Sequence, residues 1–326
     1  MIRPGVPAPN LAPRIAPGSF RERGGVAYRT LATRSLLNRC GSPRVPFEWT
    51  VNPYRGCAMG CHYCYAAYTH EFMGVETPEA FHTTVFVKAG GLDETARRLP
   101  ALIRTGARIA LGTATDPYQP GEADLRVTRG FLELVAQHRN VRLGITTKGA
   151  VILRDLDLLA RIHERSSLSI SVSLVSPRAD LLRKLEPWAP PPAVRLELMR
   201  RLSDAGLRVA LALAPVLPAL TDGEADLAEL LGSVRQAGVT RMFANVLFLR
   251  SPTKEKYLRW LEAEFPQYLE AYRRAYADRA YLRGRYRLWI EERIGRLRER
   301  FGFVTRDQSQ PASSRPQGAE QLRLWV

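Results

Sequence analysis

Cysteine is almost missing from this chain. Its 326 residues hold four, and three of those fall between positions 57 and 64. Histidine is nearly as rare, with five residues. Thiols so few and so clustered exclude a disulfide scaffold; they point to metal or redox chemistry in a reducing compartment, so a cytoplasmic protein is expected. Long hydrophobic runs are missing too. No apolar stretch reaches the roughly 18 residues that a membrane-spanning helix needs. The opening residues, MIRPGVPAPNLAPRIAPGSF, carry arginines but no apolar centre, unlike a secretion signal. Acid is what the two ends lack: residues 1–45 hold eight arginines against one acid, and residues 268–300 ten arginines against five. The net charge of +16 suits a polyanionic partner such as DNA or RNA, and equally suits a solvated arginine-rich surface.

What is present is a repeating pattern. Residues 1–27 are rich in Pro, Gly, Ala and Arg without periodicity and read as a mobile arm. From residue 46, short β-type runs alternate with amphipathic stretches. The runs are FEWTV, RIALGTA (108–114), VRLGITT (141–147), LSISVSL (168–174), LRVALALAPVL (207–217) and MFANVLFL (242–249). Helical spacing occupies 124–137, 154–163, 192–205 and 224–236, with Gly206 and Gly238 where C-caps belong. Six strands with intervening helices predict an α/β fold of βαβ units with a parallel sheet, as a doubly wound open sheet or a partial barrel. Continuous apolar runs such as 207–217 suggest strands buried on both faces. The expected division is a basic, partly disordered arm (1–45), a core (46–250), a basic helical extension (251–304), and a polar linker with a terminal peptide (305–326).

Cys57, Cys61 and Cys64 have the spacing C-x3-C-x2-C directly after the first strand. Three thiolates so close suit one soft metal centre. An iron–sulfur cluster fits, with three thiolates leaving one iron of a [4Fe–4S] cube without a protein ligand. A structural zinc site completed by His62 or His70 fits as well.

The wider stretch NPYRGCAMGCHYCYAAYTH (52–70) resembles the radical S-adenosylmethionine (radical SAM) superfamily, in a bacterial branch related to spore photoproduct lyase. The resemblance continues through TATDPYQPGE (113–122), ITTKG (145–149), ILRDLDLL (152–159), LEPWAP (185–190) and APVLPALTD (214–222), in strand order. It implies a partial (β/α)6 barrel of TIM type with a C-terminal helical extension, and a [4Fe–4S] cluster on Cys57, Cys61 and Cys64 at the C-terminal mouth. It also implies S-adenosylmethionine on the open iron, cleaved by one electron from an external donor to a 5′-deoxyadenosyl radical. By the same resemblance Tyr63 packs on the adenine and Thr113, Thr115 and Asp116 serve the methionyl amino group. Lys148 pairs with the methionyl carboxylate, and Ser171 and Ser173 face the ribose. The chain departs from that branch at Ala58, Met59 and Ala67, and at Ala219, where the branch carries glycine.

Three functions are weighed. The first is a radical enzyme of lyase or oxidoreductase type acting on a nucleic acid, in repair or base modification. The second is a radical enzyme on a small molecule or protein. The third is a zinc-stabilised nucleic-acid-binding protein without catalysis. Tyr268, Tyr272 and Tyr276 recur every four residues beside Arg273, Arg274 and Arg279, a stripe that suits either base stacking or packing onto the barrel. Salt-sensitive binding is expected to be led by Arg273, Arg274, Arg283 and Arg285. Cys40 reads as an inert thiol. The terminal Gln321, Leu322, Leu324 and Trp325 resemble the short peptide with which bacterial repair proteins hold the polymerase sliding clamp, a second expected partner.

Overall fold

The computed structural model describes residues 20–42, 45–73, 77 and 79–305; the terminal peptide lies outside them. Six parallel strands form the core sheet: β1 (Trp49–Val51), β2 (Arg108–Leu111), β3 (Arg142–Thr147), β4 (Ser167–Ser173), β5 (Val209–Val216) and β6 (Arg241–Val246). They neighbour one another in chain order. The sheet is open, and each edge is covered by a short strand. Leu37–Arg39 pairs antiparallel with β1, and Val304–Thr305 parallel with β6. This is the partial barrel expected.

Its strands alternate by size. Ile109, Leu111, Leu143, Ile145, Leu168, Ile170, Leu211 and Leu213 are each at most 2% exposed. They share one core with helical residues Leu159, Ile162, Leu198, Leu202, Leu230 and Val234. Helices α1 (Leu92–Arg104), α2 (Val127–Ala136), α3 (Leu156–Arg165), α4 (Pro192–Asp204) and α5 (Glu224–Gln236) supply that outer layer. The intervening positions, Ala110, Gly144, Ser169, Ser171, Ala210, Ala212 and Ala214, point inward and line two cavities, one at each end of the strands. The stretch 207–217 shows the burial on both faces expected of it, Val209 to Leu213 all being buried. Its large residues pack outward, and its alanines leave the inside hollow.

The two predicted glycine caps form. Gly206 (φ 73°) and Gly238 (φ 80°) follow α4 and α5 in the left-handed region. In each case the amide of the residue after the glycine bonds back into the last turn, Leu207 to Leu202 O and Val239 to Val234 O. The expected helix at 124–137 is split. A single turn, Glu122–Leu125, ends at Arg126 (φ 55°), and α2 then starts afresh. The break lets the Glu122 carboxylate accept from the Thr128 and Arg129 amides, satisfying donors that the new helix would otherwise leave open.

The N-terminal segment differs from expectation within the described residues. Val26–Thr33 is a strand lying parallel to Thr84–Gly90, whose other edge takes Tyr54–Arg55. Val26 and Tyr28 are buried there with Val85, Val87 and Tyr54. Their alternation is masked in the sequence by the arginine-rich surroundings. Helices α6 (Thr253–Glu264), α7 (Pro266–Ala275) and α8 (Arg285–Arg300) make the C-terminal extension. The tyrosine stripe packs them onto the barrel: Tyr272 and Tyr276 are buried, their hydroxyls donating to Pro218 O (2.6 Å) and Leu247 O (3.1 Å). No described helix is long and apolar enough to cross a membrane.

Ala219 is left-handed, φ 61°, with its amide held by the Tyr286 hydroxyl at 3.1 Å. An L-residue there carries a steric cost that glycine escapes. Ala219→Gly is expected to raise stability by about 0.5–1 kcal/mol in denaturant unfolding. A destabilised variant would show that the turn carries no strain.

Candidate active site

The cysteine loop leaves β1 at Val51 and is fastened at each step. Asn52 bridges to the end of β2, its Oδ1 accepting from the Ala114 amide (2.8 Å) and its Nδ2 donating to Thr113 Oγ1 (3.0 Å). The Tyr54 hydroxyl donates to the buried Glu122 carboxylate. Gly56 takes φ 93°, and a Cβ there would lie 2.7 Å from Thr84 O, so the position requires glycine. The residues after β2 then clamp the loop. Thr115 Oγ1 donates to Gly56 O (2.6 Å), and Gln119 Oε1 accepts from the Ala58 amide (2.9 Å). His82 Nδ1 donates to Cys57 O (2.8 Å), and Thr253 Oγ1 at the start of α6 donates to Cys64 O (2.7 Å). Burial brings the His82 imidazole down to about 3, so it stays neutral.

Thus held, all three thiols line one cavity at the C-terminal ends of β2–β6, together with Tyr63, Thr113, Thr115, Asp116, Lys148, Ser173, Asn245 and Phe248. Burial raises each thiol: Cys57 well above its ordinary value, with Asp116 adding to the effect, and Cys61 to about 12. Without a cation in the cavity these groups are thiols; as thiolates they demand one. Among the described residues no three His, Cys, Asp or Glu side chains are gathered for a single metal ion. His62 stacks on Trp260 instead (5.3 Å, 17°), and His70 bonds Thr84 O (2.9 Å).

Behind the thiols lies a buried charge network. Glu186, fully buried, accepts from the Tyr63 hydroxyl and pairs with the equally buried Arg195, while Lys148 Nζ approaches to 4.0 Å. Burial alone would raise the Glu186 carboxyl, but Arg195 and then Lys148 hold it below its ordinary 4.5. Burial opposes the Lys148 charge, and the facing Cys61, once ionised, and Glu186 more than offset it, so the ammonium persists. Lys148 also lies 5.6 Å from the centre of the Tyr63 ring.

The expected site residues divide into three groups. Tyr63, Lys148 and Ser173 face the cavity, and Ser173 Oγ is a buried hydroxyl there with no hydrogen-bond partner. Thr113, Thr115 and Asp116 also line it, but their polar atoms are engaged in holding the strand ends. Tyr65 donates to Thr113 O, and Asp116 accepts from Thr147 Oγ1 (2.6 Å), the Lys148 amide (2.7 Å) and the Tyr118 amide (2.9 Å). Ser171 belongs elsewhere: one pleat deeper than Ser173, it lines the cavity at the opposite end. Cys40 is also remote, its amide bonded to Glu48 O (2.8 Å) beside the start of β1. At the rim, Phe248 contacts Tyr281 (rings 4.9 Å apart), which places the exposed Arg279 and Arg283 beside the mouth. Beyond them the exposed Tyr286 and Trp289 stack at 5.4 Å. Arg273 is already paired with Glu270 (2.8 Å). Sequence reasoning missed Gln119, His82, Glu186 and Arg195; Gln119 and Glu186 lie inside the recognised motifs, the only signal for them.

The model of the radical SAM superfamily matches residues 51–231, and the chain belongs to that superfamily. An uncharacterized protein of Mycobacterium tuberculosis is 36% identical over 277 residues, covering 84% of this chain and 80% of the relative. One from Methanocaldococcus jannaschii is 25% identical over 229 residues, 68% of this chain and 78% of its own. Among solved structures, a spore photoproduct lyase superimposes with TM-score 0.64 at 18% identity, covering 85% of this chain and 81% of the lyase. A variant of that lyase holding AdoMet and a dinucleoside spore photoproduct gives 0.62 at 17%, with the same coverage. The fold is shared. Membership decides the open question of the cysteine loop: the cofactors are a [4Fe–4S] cluster and S-adenosylmethionine, and the chain is an enzyme, not a zinc-stabilised binding module. The cavity fits them, because it gathers three thiols, an orphaned hydroxyl and a lysine ammonium around open space.

Glu186→Gln leaves Arg195 buried without its counter-charge and is expected to cost about 3–5 kcal/mol. Because the folded carboxyl titrates below 4.5, wild type holds this advantage above that pH and loses it as pH falls through the lowered value. Unfolding of both proteins between pH 7 and 3 measures it, and a gap that does not narrow with acid would refute the ion pair.

Proposed function

We propose that this radical SAM enzyme holds its cluster on Cys57, Cys61 and Cys64, holds S-adenosylmethionine against Lys148, Ser173 and Tyr63, and acts on a nucleic acid presented at the mouth. The supporting observation is the common cavity of three thiols from one loop with the C-terminal ends of five barrel strands. When bound, the cofactors supply an electron and a 5′-deoxyadenosyl radical that takes a hydrogen atom from the substrate; the electron comes from an external donor.

The chain's own part is placement. Lys148 offers a persistent positive charge to the methionyl carboxylate, and Ser173 offers a free hydroxyl within the same space. Tyr63 turns its ring to the cavity while Glu186 holds its hydroxyl. Asp116 acts through others: by accepting from the Lys148 amide and Thr147 it fixes the height of the lysine at the mouth. Thr115 likewise acts on the cysteine loop through Gly56. The hollow barrel interior shields the reacting atoms from bulk water.

For the substrate, the support is the rim. Exposed Arg279 and Arg283 stand beside Tyr281 and Phe248, and the exposed Tyr286–Trp289 stack offers an aromatic face, backed 3.6 Å from the Trp289 ring by Arg293, which is itself bonded to Asp222 O. Arginine next to exposed aromatics suits phosphates and unstacked bases. A variant of the solved lyase that shares this fold holds a dinucleoside spore photoproduct.

Each of Cys57→Ala, Cys61→Ala and Cys64→Ala is expected to abolish 5′-deoxyadenosine formation in anaerobic assays, whereas Cys40→Ala retains it. Lys148→Ala should weaken S-adenosylmethionine about 10–100-fold, the worth of one charged contact. Arg279→Gln with Arg283→Gln should lower oligonucleotide affinity and reduce the slope of log affinity against log salt by about 2. An unchanged slope, together with 5′-deoxyadenosine formation indifferent to DNA and RNA, would move the substrate to a small molecule or protein.

A further inference from the structure

The barrel has a second concave end, remote from the mouth. Its lining begins with arginine on strand after strand. Arg108 opens β2, Arg142 opens β3, Arg208 immediately precedes β5, and Arg241 opens β6; all four line one cavity of about 70 Å³. They sit two residues before Ala110, Gly144, Ala210 and Phe243, so all share the inward face of their strands. Arg108 and Arg142 are direct partners in the parallel register. Like charges side by side in a sheet oppose each other, and a fold gains nothing from stacking them.

Among the described residues, neither Arg208 nor Arg241 is paired with an acid. Glu48 pairs with Arg108, accepting from its Nη2 at 3.1 Å and from its amide at 2.7 Å. Arg142 reaches a carbonyl, Gly106 O, at 3.3 Å. Among the described residues, Arg241 Nε is buried with no hydrogen-bond partner. Burial, and after it the charge of Arg208, draws the Arg241 guanidinium below the ordinary arginine value. A buried donor left open in this way calls for a partner. Above the arginines, Gly144, Ser169 and Ser171 form a floor of small residues, adding hydroxyl groups and leaving space. Ser171, which the sequence pattern assigned to the mouth, belongs to this lining.

We propose that this end of the barrel is an oxyanion site that holds a small phosphate-class anion among Arg108, Arg142, Arg208 and Arg241. Guanidinium is the group suited to such a ligand, because its planar donors match phosphate oxygens in pairs and its charge is permanent. The volume admits phosphate or pyrophosphate, at roughly 10–15 Å³ per water displaced. The anion neutralises the ring and ties four strand starts together, so it stabilises the barrel from the end opposite its chemistry. The site is independent of the substrate proposed for the mouth.

The test is calorimetric titration of the full chain with inorganic phosphate and pyrophosphate at fixed ionic strength, with chloride as control and a single-stranded decanucleotide as a second arm. Arg208→Gln with Arg241→Gln should weaken pyrophosphate at least tenfold while leaving S-adenosylmethionine binding unchanged. Glu48→Gln, which removes the competing carboxylate, should bind pyrophosphate more tightly. The proposal is overturned if pyrophosphate binds no better than chloride, if the double variant binds it as well as wild type, or if Glu48→Gln binds it more weakly. It is also overturned if only the decanucleotide loses affinity in the double variant, since the site would then read a polymer backbone.

Discussion

The barrel depends on one steric constraint: β2 to β5 carry their large apolar residues on the outside and residues too small to fill a barrel on the inside. Ile109, Leu143, Ile170 and Leu211 bury against the helices, each contributing about 1.5–3 kcal/mol. Their neighbours Ala110, Gly144, Ser171 and Ala210 contribute little burial and leave the axis open. In a filled (β/α) barrel, layers of Val, Ile and Leu occupy that axis. Here the stability comes from the outer layer, and the inner space is left for guests. The two cavities, one thiol-lined and one arginine-lined, are consequences of the same alternation.

Hollowness would be of no use without a rigid rim. Three buried thiols at the mouth are at odds with their surroundings, since burial disfavours the thiolate that metal binding requires. The protein holds them there with neutral hydrogen bonds to the loop backbone from Thr115, Gln119, His82 and Thr253, drawn from three separate parts of the chain. None of these clamps touches a thiol group, so the sulfurs remain directed at the cavity. Behind them Glu186, itself held by Arg195, favours the Lys148 charge and fixes Tyr63. Position is set by the clamps and electrostatics by the buried pair.

The strand order, the parallel sheet, the glycine caps after α4 and α5, and the cysteine loop were legible in the sequence, because each is a local signal. A period of two, a left-handed glycine or a run of three cysteines needs no partner to be recognised. What escaped was long-range. Gln119 reads as one more polar residue until the fold brings it beside Ala58, and Arg195 looks like a solvated helix residue until Glu186 is seen beneath it. The Ser171–Ser173 alternation correctly put both on one face, but not that this face divides between two ends of a barrel. Val26–Thr33 was lost because the longer of its two strand pairings is with a segment over 50 residues away. Ala219 is the instructive departure: its difference from the family's glycine was visible in sequence, and its left-handed backbone explains why glycine is usual there.

The central claim is that Cys57, Cys61 and Cys64 hold a cluster with one iron left open to S-adenosylmethionine. Electron paramagnetic resonance of the anaerobically reconstituted, reduced protein, with and without S-adenosylmethionine, tests it most directly. The account predicts a [4Fe–4S] signal whose g-values shift when the cofactor is added, and a markedly smaller shift in Lys148→Ala. A signal unaltered by S-adenosylmethionine, or a stoichiometric zinc protein with no acid-labile sulfide, would contradict it.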